Sequence, residues 1–264
     1  MKQEKREILV AGYGFVGKAV FKALREFNQC SIIDPLYNSS KMEDYPLADG
    51  VVICVGTPSL EDGGCDDSQI RDVISKTSPN TPILIKSTVT PDNLEKLVTD
   101  FPDNPICYSP EFLRARSAEF DFTNQRFTIL GGDDPDSFWE TILSEALPLS
   151  KIFFKCTLTE ASTIKYAANS FLATKVAFFN HMFDLCNANG ADFNVVRQIL
   201  VHDHRIGSSH TLVPGIDEDR GFGGHCFPKD TKALIKYSDQ LGVSLDVLKS
   251  AIEYNKTVRK TLDL

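Results

Sequence analysis

No run of this chain approaches the length of a membrane span. The most apolar long segment, around Phe171 to Phe183, contains Lys175, Asn180 and His181. The amino terminus, MKQEKREILVAGYG, has too short an apolar stretch before its glycines for a secretory signal. Clustered basic residues are also lacking. Lys and Arg number 28 against 36 Asp and Glu, a formal charge of −8. That balance argues against a sequence-independent nucleic-acid surface, while an anionic small ligand needs only a few local donors. There is no disulfide framework: Cys30, Cys54, Cys65, Cys107, Cys156, Cys186 and Cys226 are odd in number and scattered, the pattern of reduced cytosolic thiols. A cytoplasmic location is therefore expected. His202, His204, His210 and His225 fall in one stretch, but neither a CxxC pair nor an HExxH helix accompanies them, so no metal is expected. Compositional bias is absent as well: 42% apolar and 24% charged residues over 264 positions describe a globular chain of one large or two ordinary domains.

What is present begins with Arg6 to Ala11, a short apolar run leading into AGYGFVG, with glycines at Gly12, Gly14 and Gly17. The helical pattern Val16, Val20, Phe21, Leu24, Phe27 follows. Strand, glycine turn and helix in that order form a dinucleotide fingerprint. Gly12 permits the tight turn, Gly14 lets a pyrophosphate approach the backbone, and Gly17 lets helix and strand pack closely. The turn as a whole, with Tyr13, Phe15 and Val16, offers N–H donors at the helix N-terminus. A second strand, Cys30 to Ile33, ends at Asp34. An acidic residue there accepts from ribose hydroxyls and repels a 2′-phosphate, so NAD is preferred over NADP. Taken alone, Asp34 would be an ordinary turn residue before Pro35.

Strands and helices then alternate. Strands are expected at 50–55, 82–86, 106–108 and 127–130, and helices at 67–76, 92–100 and 134–146. This predicts a doubly wound, Rossmann-type parallel sheet with ligands beyond the carboxyl ends of its strands. From Thr159 the period changes to that of a long helix reaching about Asn187, apolar on more than one face. An all-helical domain is expected from there, with shorter helices at 194–201, 229–241 and 245–260. The domains expected are 1–154 for the dinucleotide and 155–264 for the helical part. Lys165 and Asn169 are four apart on one face of the long helix and can present an ammonium and an amide N–H to an oxyanion. Lysine alone is more often solvated; its pairing with Asn169 favours the site.

Gly221 to Asp230 reads GFGGHCFPKD. Three glycines in four positions turn the chain sharply, after a strand-like Phe222, and deliver Cys226 near the start of a helix. Thiolates are favoured at helix N-termini. The ten-residue string resembles the active-cysteine segment of the UDP-glucose/GDP-mannose dehydrogenase family, which oxidises a nucleotide-sugar alcohol to a carboxylic acid with two NAD equivalents. ICVGTP (53–58), KSTV (86–89), SPEFLR (109–114) and DHRIG (203–207) look like further segments of that family, in the expected order. The resemblance implies Cys226 as nucleophile and Lys165 and Asn169 as oxyanion donors. It places Thr88 and Asp230 on a catalytic water, with Glu111 assisting hydrolysis of the acyl intermediate. It puts Thr57, Thr88 and Lys229 along the cofactor. Glu111, Phe112, Leu113, Lys165, Asn169, Gly223 and Cys226 would line a UDP-sugar, and Arg205 would reach the substrate of a neighbouring subunit. The long helix is expected to form a homodimer.

Two departures stand out. The UDP-glucose branch commonly carries a second Glu four residues after the first, where this chain has Ala115. Family members also normally continue into another α/β domain that holds much of the nucleotide, and this chain is expected to lack it. Two other readings stay open: a two-electron dehydrogenase of the hydroxyacid type, which would not need Cys226, and a non-catalytic NAD-binding subunit.

Overall fold

A computed structural model describes residues 5–260. Over those residues the chain forms two compact units, one from residues 5–58 and 65–165, the other from 59–64 and 166–260. The first unit carries strands β1 (Glu7–Ala11), β2 (Gln29–Ile33), β3 (Gly50–Ile53), β4 (Ile83–Ile85), β5 (Ile106–Tyr108), β6 (Phe127–Gly132) and β7 (Ile152–Cys156). Its helices are α1 (Phe15–Leu24), α2 (Ser68–Ser75), α3 (Pro91–Asp100), α4 (Ala118–Thr123) and α5 (Phe138–Ala146). The strand order is β2-β1-β3-β4-β5-β6-β7. Neighbouring strands are parallel throughout β2-β1-β3-β4-β5. At β5–β6 the pairing is antiparallel, with Cys107 opposite Gly132, and β6 and β7 then run parallel to each other. This is the expected Rossmann-type sheet with one reversal.

The central strands are apolar and buried on both faces, as strands covered by helices on both sides must be. Leu9, Val51, Ile53, Ile83 and Ile85 pack with Ile70, Ile74, Leu94 and Leu97 of α2 and α3 on one side. Ile8, Val10, Val52 and Leu84 pack with Val20 and Leu24 of α1 and Trp139, Ile142 and Leu143 of α5 on the other. Gly17 is where α1 comes closest to the turn before it. A Cβ there would lie 1.9 Å from the Gly12 carbonyl oxygen, so no other residue fits without moving the helix.

Strand β7 was not among the expected strands. IFFKC is too short and too evenly apolar for either period to show; its pairing of Ile129 with Phe154 settles it. The short helix α4 was also missed, being only six residues long.

The long helix α6 (Leu158–Asn189) is followed by α7 (Phe193–Leu200), α8 (Phe227–Gln240) and α9 (Asp246–Val258). Thr157 and Glu160 form a capping box at the start of α6. The Glu160 carboxylate accepts from the Thr157 N–H at 2.8 Å, and Thr157 Oγ1 accepts from the Glu160 N–H at 3.1 Å. In the second unit, Phe179, Cys186, Phe193 and Val213 form a separate small core with Met182 and Phe183. Among the described residues no helix is long and apolar enough to cross a membrane.

Candidate active site

The glycine turn joins β1 to α1 and is tied to the end of β2 by the Asp34 carboxylate. Oδ2 accepts from the Tyr13 N–H at 2.6 Å, and Oδ1 accepts from the Leu36 N–H at 2.8 Å. Each oxygen retains a lone pair for a ribose hydroxyl. A Cβ at Gly14 would meet no atom within 4 Å, so the backbone at the head of α1 is open to a phosphate, with the N–H groups of that helix end behind it. The residues present therefore fit a dinucleotide. Tyr37, not singled out in the sequence, lies with its ring 4.4 Å from that of Tyr13 and lines the same turn. NAD should bind more tightly than NADP, by roughly tenfold or more, because a 2′-phosphate would meet the Asp34 carboxylate. Fluorescence titration checks this; equal affinities would remove Asp34 from the ribose.

At the carboxyl ends of β4 and β5 the first unit holds a buried charge cluster. Ile85 and Tyr108 are paired across these strands, so the next residues, Lys86 and Ser109, are brought side by side. Lys86 Nζ lies 3.0 Å from Glu111 Oε2 and donates to Ser109 Oγ at 3.2 Å, and its ammonium sits 5.5 Å from the Phe122 ring centroid. The side chains of Lys86 and Glu111 are 1% and 8% exposed. Removing one member of such a pair typically costs about 3–5 kcal/mol, because the other charge is left buried alone. Lys165 on α6 is buried too, its Nζ donating to the Glu111 carbonyl oxygen and lying 5.3 Å from the Phe112 ring centroid. The solvated role common for a lone lysine therefore does not apply. Thr57 is buried and Thr88 half-buried, and the Thr88 carbonyl accepts from Cys65 Sγ at 3.4 Å. Ala115 is exposed at the start of a short 3₁₀ turn. Glu119, the nearest later carboxylate of that sign, is paired at 2.5 Å with Lys22 of α1 on the surface.

In the second unit Cys226 is exposed and stands at the N-cap of α8, with Pro228 in the first helical turn. That is where the helix dipole favours a negative sulfur. Asp230, 1% exposed, is held on both oxygens: Asn169 Nδ2 donates to Oδ2 at 2.6 Å, and Lys229 Nζ to Oδ1 at 2.6 Å.

Phe222 is not in a strand. Its N–H donates to Asn255 Oδ1 at 2.7 Å and its carbonyl accepts from Asn255 Nδ2 at 2.8 Å. The side chain of α9 thus takes the place of a strand partner. Gly221, at φ +72°, leaves the room this clamp needs, since a Cβ would lie 2.2 Å from Asn255 Oδ1. Gly223 faces the Arg259 guanidinium, 2.1 Å from where its Cβ would be, and Arg259 is paired with Asp217 at 2.6 Å. Asn255 and Arg259 escaped the sequence reading because nothing local links them to a loop more than 30 residues earlier.

Arg205 is strongly exposed and paired with Asp203 at 2.5 Å; its guanidinium beside Asp203 holds that carboxyl below the usual range. Lys175 of α6 anchors the segment by donating to the Ile206 and Gly207 carbonyls at 2.7 and 3.2 Å, and burial lowers its pKa. Among the described residues no group of three His, Cys, Asp or Glu is placed to hold a metal.

Residues 28–146 match the family model for the UDP-glucose/GDP-mannose dehydrogenase family, NAD binding domain, and residues 159–257 match that for the family's central domain. The chain belongs to the UDP-glucose/GDP-mannose dehydrogenase family. NAD is accordingly the cofactor of its first unit. The chain is 36% identical over 224 residues to UDP-glucose 6-dehydrogenase of Rickettsia typhi, covering 81% of this chain and 50% of that protein. It is 35% identical over 238 residues to UDP-glucose 6-dehydrogenase YwqF of Bacillus subtilis, covering 86% and 52%. The chain thus spans about half the length of the curated relatives it matches. In fold it is similar to the UDP-glucose dehydrogenase of Pyrobaculum islandicum, with a TM-score of 0.84 at 23% identity, covering 97% of this chain and 69% of that one. The 3-hydroxyisobutyrate dehydrogenase of Mycobacterium tuberculosis shares the fold at a TM-score of 0.74 and 16% identity, covering 96% and 94%. Family membership separates this chain from that hydroxyacid type, which the fold alone does not.

Proposed function

We propose that this chain carries out NAD-dependent four-electron oxidation of a nucleotide sugar, with UDP-glucose to UDP-glucuronate as the leading substrate and product. The observation that carries this reading is the exposed Cys226 at the head of α8, one turn before a buried Asp230 held by Asn169 and Lys229, in a member of this family. Residues 1–154 are assigned to NAD and 155–264 to the cysteine chemistry, in a cytoplasmic protein.

NAD, when bound, takes up the hydride removed in each oxidation. Thr88 and Asp230 are assigned to the water that receives the alcohol proton. Cys226 sulfur then bonds to the aldehyde carbon, giving a thiohemiacetal. Loss of a second hydride from that carbon leaves a thioester on Cys226. Lys165 and Asn169 donate to the oxyanions at this carbon. Glu111 accepts a proton from the water that attacks the thioester, the C–S bond breaks, and Cys226 leaves as the thiolate. Alcohol, water and two NAD thus give carboxylate, two NADH and three protons. Covalent capture splits a difficult oxidation into easier steps and retains the aldehyde. Mass analysis of the sugar recovered after reaction at saturating UDP-glucose tests the assignment: a carboxylate supports it, and an aldehyde or unchanged sugar counts against it.

The dimer is supported by α6. Ile164, Phe171, Phe178 and Leu185 are spaced by seven, and all are exposed, Phe171 by 67%. A single apolar stripe at this spacing suits a second helix, and a two-fold pair would bury it symmetrically. The chain should be a dimer at micromolar concentration by light scattering, and Phe171→Glu with Phe178→Glu should make it monomeric. A monomeric wild type would leave Arg205 without a subunit to cross to.

A further inference from the structure

We infer that Lys86 is a positioning residue for Glu111: its buried ammonium keeps the Glu111 carboxylate ionised and oriented as the proton acceptor of thioester hydrolysis. This rests on the hydrolytic role proposed for Glu111. The geometry is that of a built support. Lys86 follows β4 and its side chain is almost wholly buried, yet its ammonium is ion-paired with Glu111 Oε2 at 3.0 Å and donates to Ser109 Oγ at 3.2 Å, beside the face of Phe122. A lysine needed only for solubility has no reason to be there, since burying an ammonium is costly unless it is paired. Glu111 Oε1 accepts from the Phe112 N–H at 3.1 Å, while buried Oε2 has no hydrogen-bond partner among the described residues and is faced by the Lys86 charge at 3.0 Å. With Ala115 at the position of the second carboxylate, Lys86 is the charge paired with the remaining one.

The titratable groups around the Lys86–Glu111 pair come from four elements. Lys86 follows β4, and Lys165 on α6 donates to the Glu111 carbonyl. Cys54 follows β3; burial pushes its thiol up to about 12, with Lys86 lowering and Glu111 raising it. Cys107 on β5 is also pushed up by burial, with Asp134 adding to the rise and Lys86 opposing it. Both thiols stay neutral near pH 7; Lys86 Nζ lies 3.0 Å from the carboxylate, and Lys165 donates to the carbonyl of the same residue.

In the step concerned, a water oxygen bonds to the thioester carbon while the water proton passes to Glu111. The C–S bond breaks, its electron pair leaves on Cys226 sulfur, and the sugar departs as the carboxylic acid, which ionises. A protonated Glu111 cannot take that proton. Removing Lys86 takes away an opposite charge, and an opposite charge nearby is what favours the ionised form of a buried carboxyl.

The test uses the full chain as wild type, Lys86→Met, Lys86→Arg and Glu111→Gln. Infrared difference spectra across pH, with the Glu111 band assigned as the one missing in Glu111→Gln, read the carboxyl directly and need no turnover. At pH 7 the wild type and Lys86→Arg should show the carboxylate band, and Lys86→Met the protonated carboxyl band. In single-turnover assays Lys86→Met should form the acyl-enzyme at a rate within about twofold of wild type but hydrolyse it roughly tenfold or more slowly at pH 7. Hydrolysis should recover as pH is raised, and Lys86→Arg should restore it at pH 7. A protonated carboxyl band in the wild type at pH 7 would overturn the proposal even if Lys86→Met does not fold. So would a Lys86→Met variant whose hydrolysis is slowed equally at every pH. If no acyl-enzyme forms in the wild type, the function proposed above fails, while the infrared result still decides whether Lys86 sets the state of Glu111.

Discussion

Cys226→Ala is expected to lose turnover by roughly 10⁴-fold or more, the scale on which a covalent nucleophile is missed, and Cys226→Ser to trap the sugar on the protein. A serine hydroxyl still adds to an aldehyde, but the ester left after the second oxidation is a poorer acyl donor than a thioester. Deacylation should therefore stall, and intact mass should show a covalent sugar adduct in the Ser variant and none in the Ala variant. The fold gives the experiment a clean background. Cys226 is exposed at a helix N-cap and fills no core position, so neither substitution leaves a cavity. Ala115 adds an expectation for the wild type, a burst of NADH followed by a slower steady state if the lone Glu111 makes hydrolysis the slow step. If Cys226→Ala turns over like the wild type at saturating substrate, covalent catalysis is wrong and the glycine-rich segment is a structural turn only.

Lys165→Ala should lower kcat by roughly 10²- to 10³-fold, the usual effect of losing one oxyanion donor, while NAD affinity changes by less than about twofold. The glycine turn and Asp34 lie on β1, α1 and β2, whereas Lys165 touches the Glu111 carbonyl and the Phe112 ring. Its loss therefore leaves the cofactor turn intact. Asn169→Ala is a less clean probe, because the buried Asp230 would then keep only Lys229 as partner, at a further cost of about 1–3 kcal/mol. Stopped-flow measurement of the first and second hydride transfers separates the roles. A Lys165→Ala protein with unchanged rates would have no oxyanion donor at this position.

The dinucleotide half was legible because each of β1 to β5 is followed by a distinctive residue. Gly12 follows β1, Asp34 follows β2, and the threonine and serine motifs follow β3 to β5, so a short apolar run could be read as a strand from what came after it. Strand β7 ends in no such signal, and the reversal between β5 and β6 leaves no trace in either strand's composition. Cys226 stood out in the sequence because of its glycines, but the reason for those glycines was not legible. Phe222 looks strand-like in sequence because it is apolar between glycines, and its backbone is in fact paired by the Asn255 side chain from α9. Lys86 was read only as part of a motif. Its meaning depends on β4 and β5 being neighbours in register, which spacing along the chain does not encode. A lysine directly after three buried isoleucine and leucine residues was the signal available, since a charge at the end of such a strand needs a partner nearby.

Counting NADH per sugar consumed tests the central claim most directly. The protein is incubated with limiting UDP-glucose and excess NAD, and NADH is read by absorbance against the sugar lost. The proposed passage of the alcohol through a thiohemiacetal on Cys226 to the acid predicts two equivalents per sugar; one equivalent would mean the oxidation stops at the carbonyl, and would contradict it.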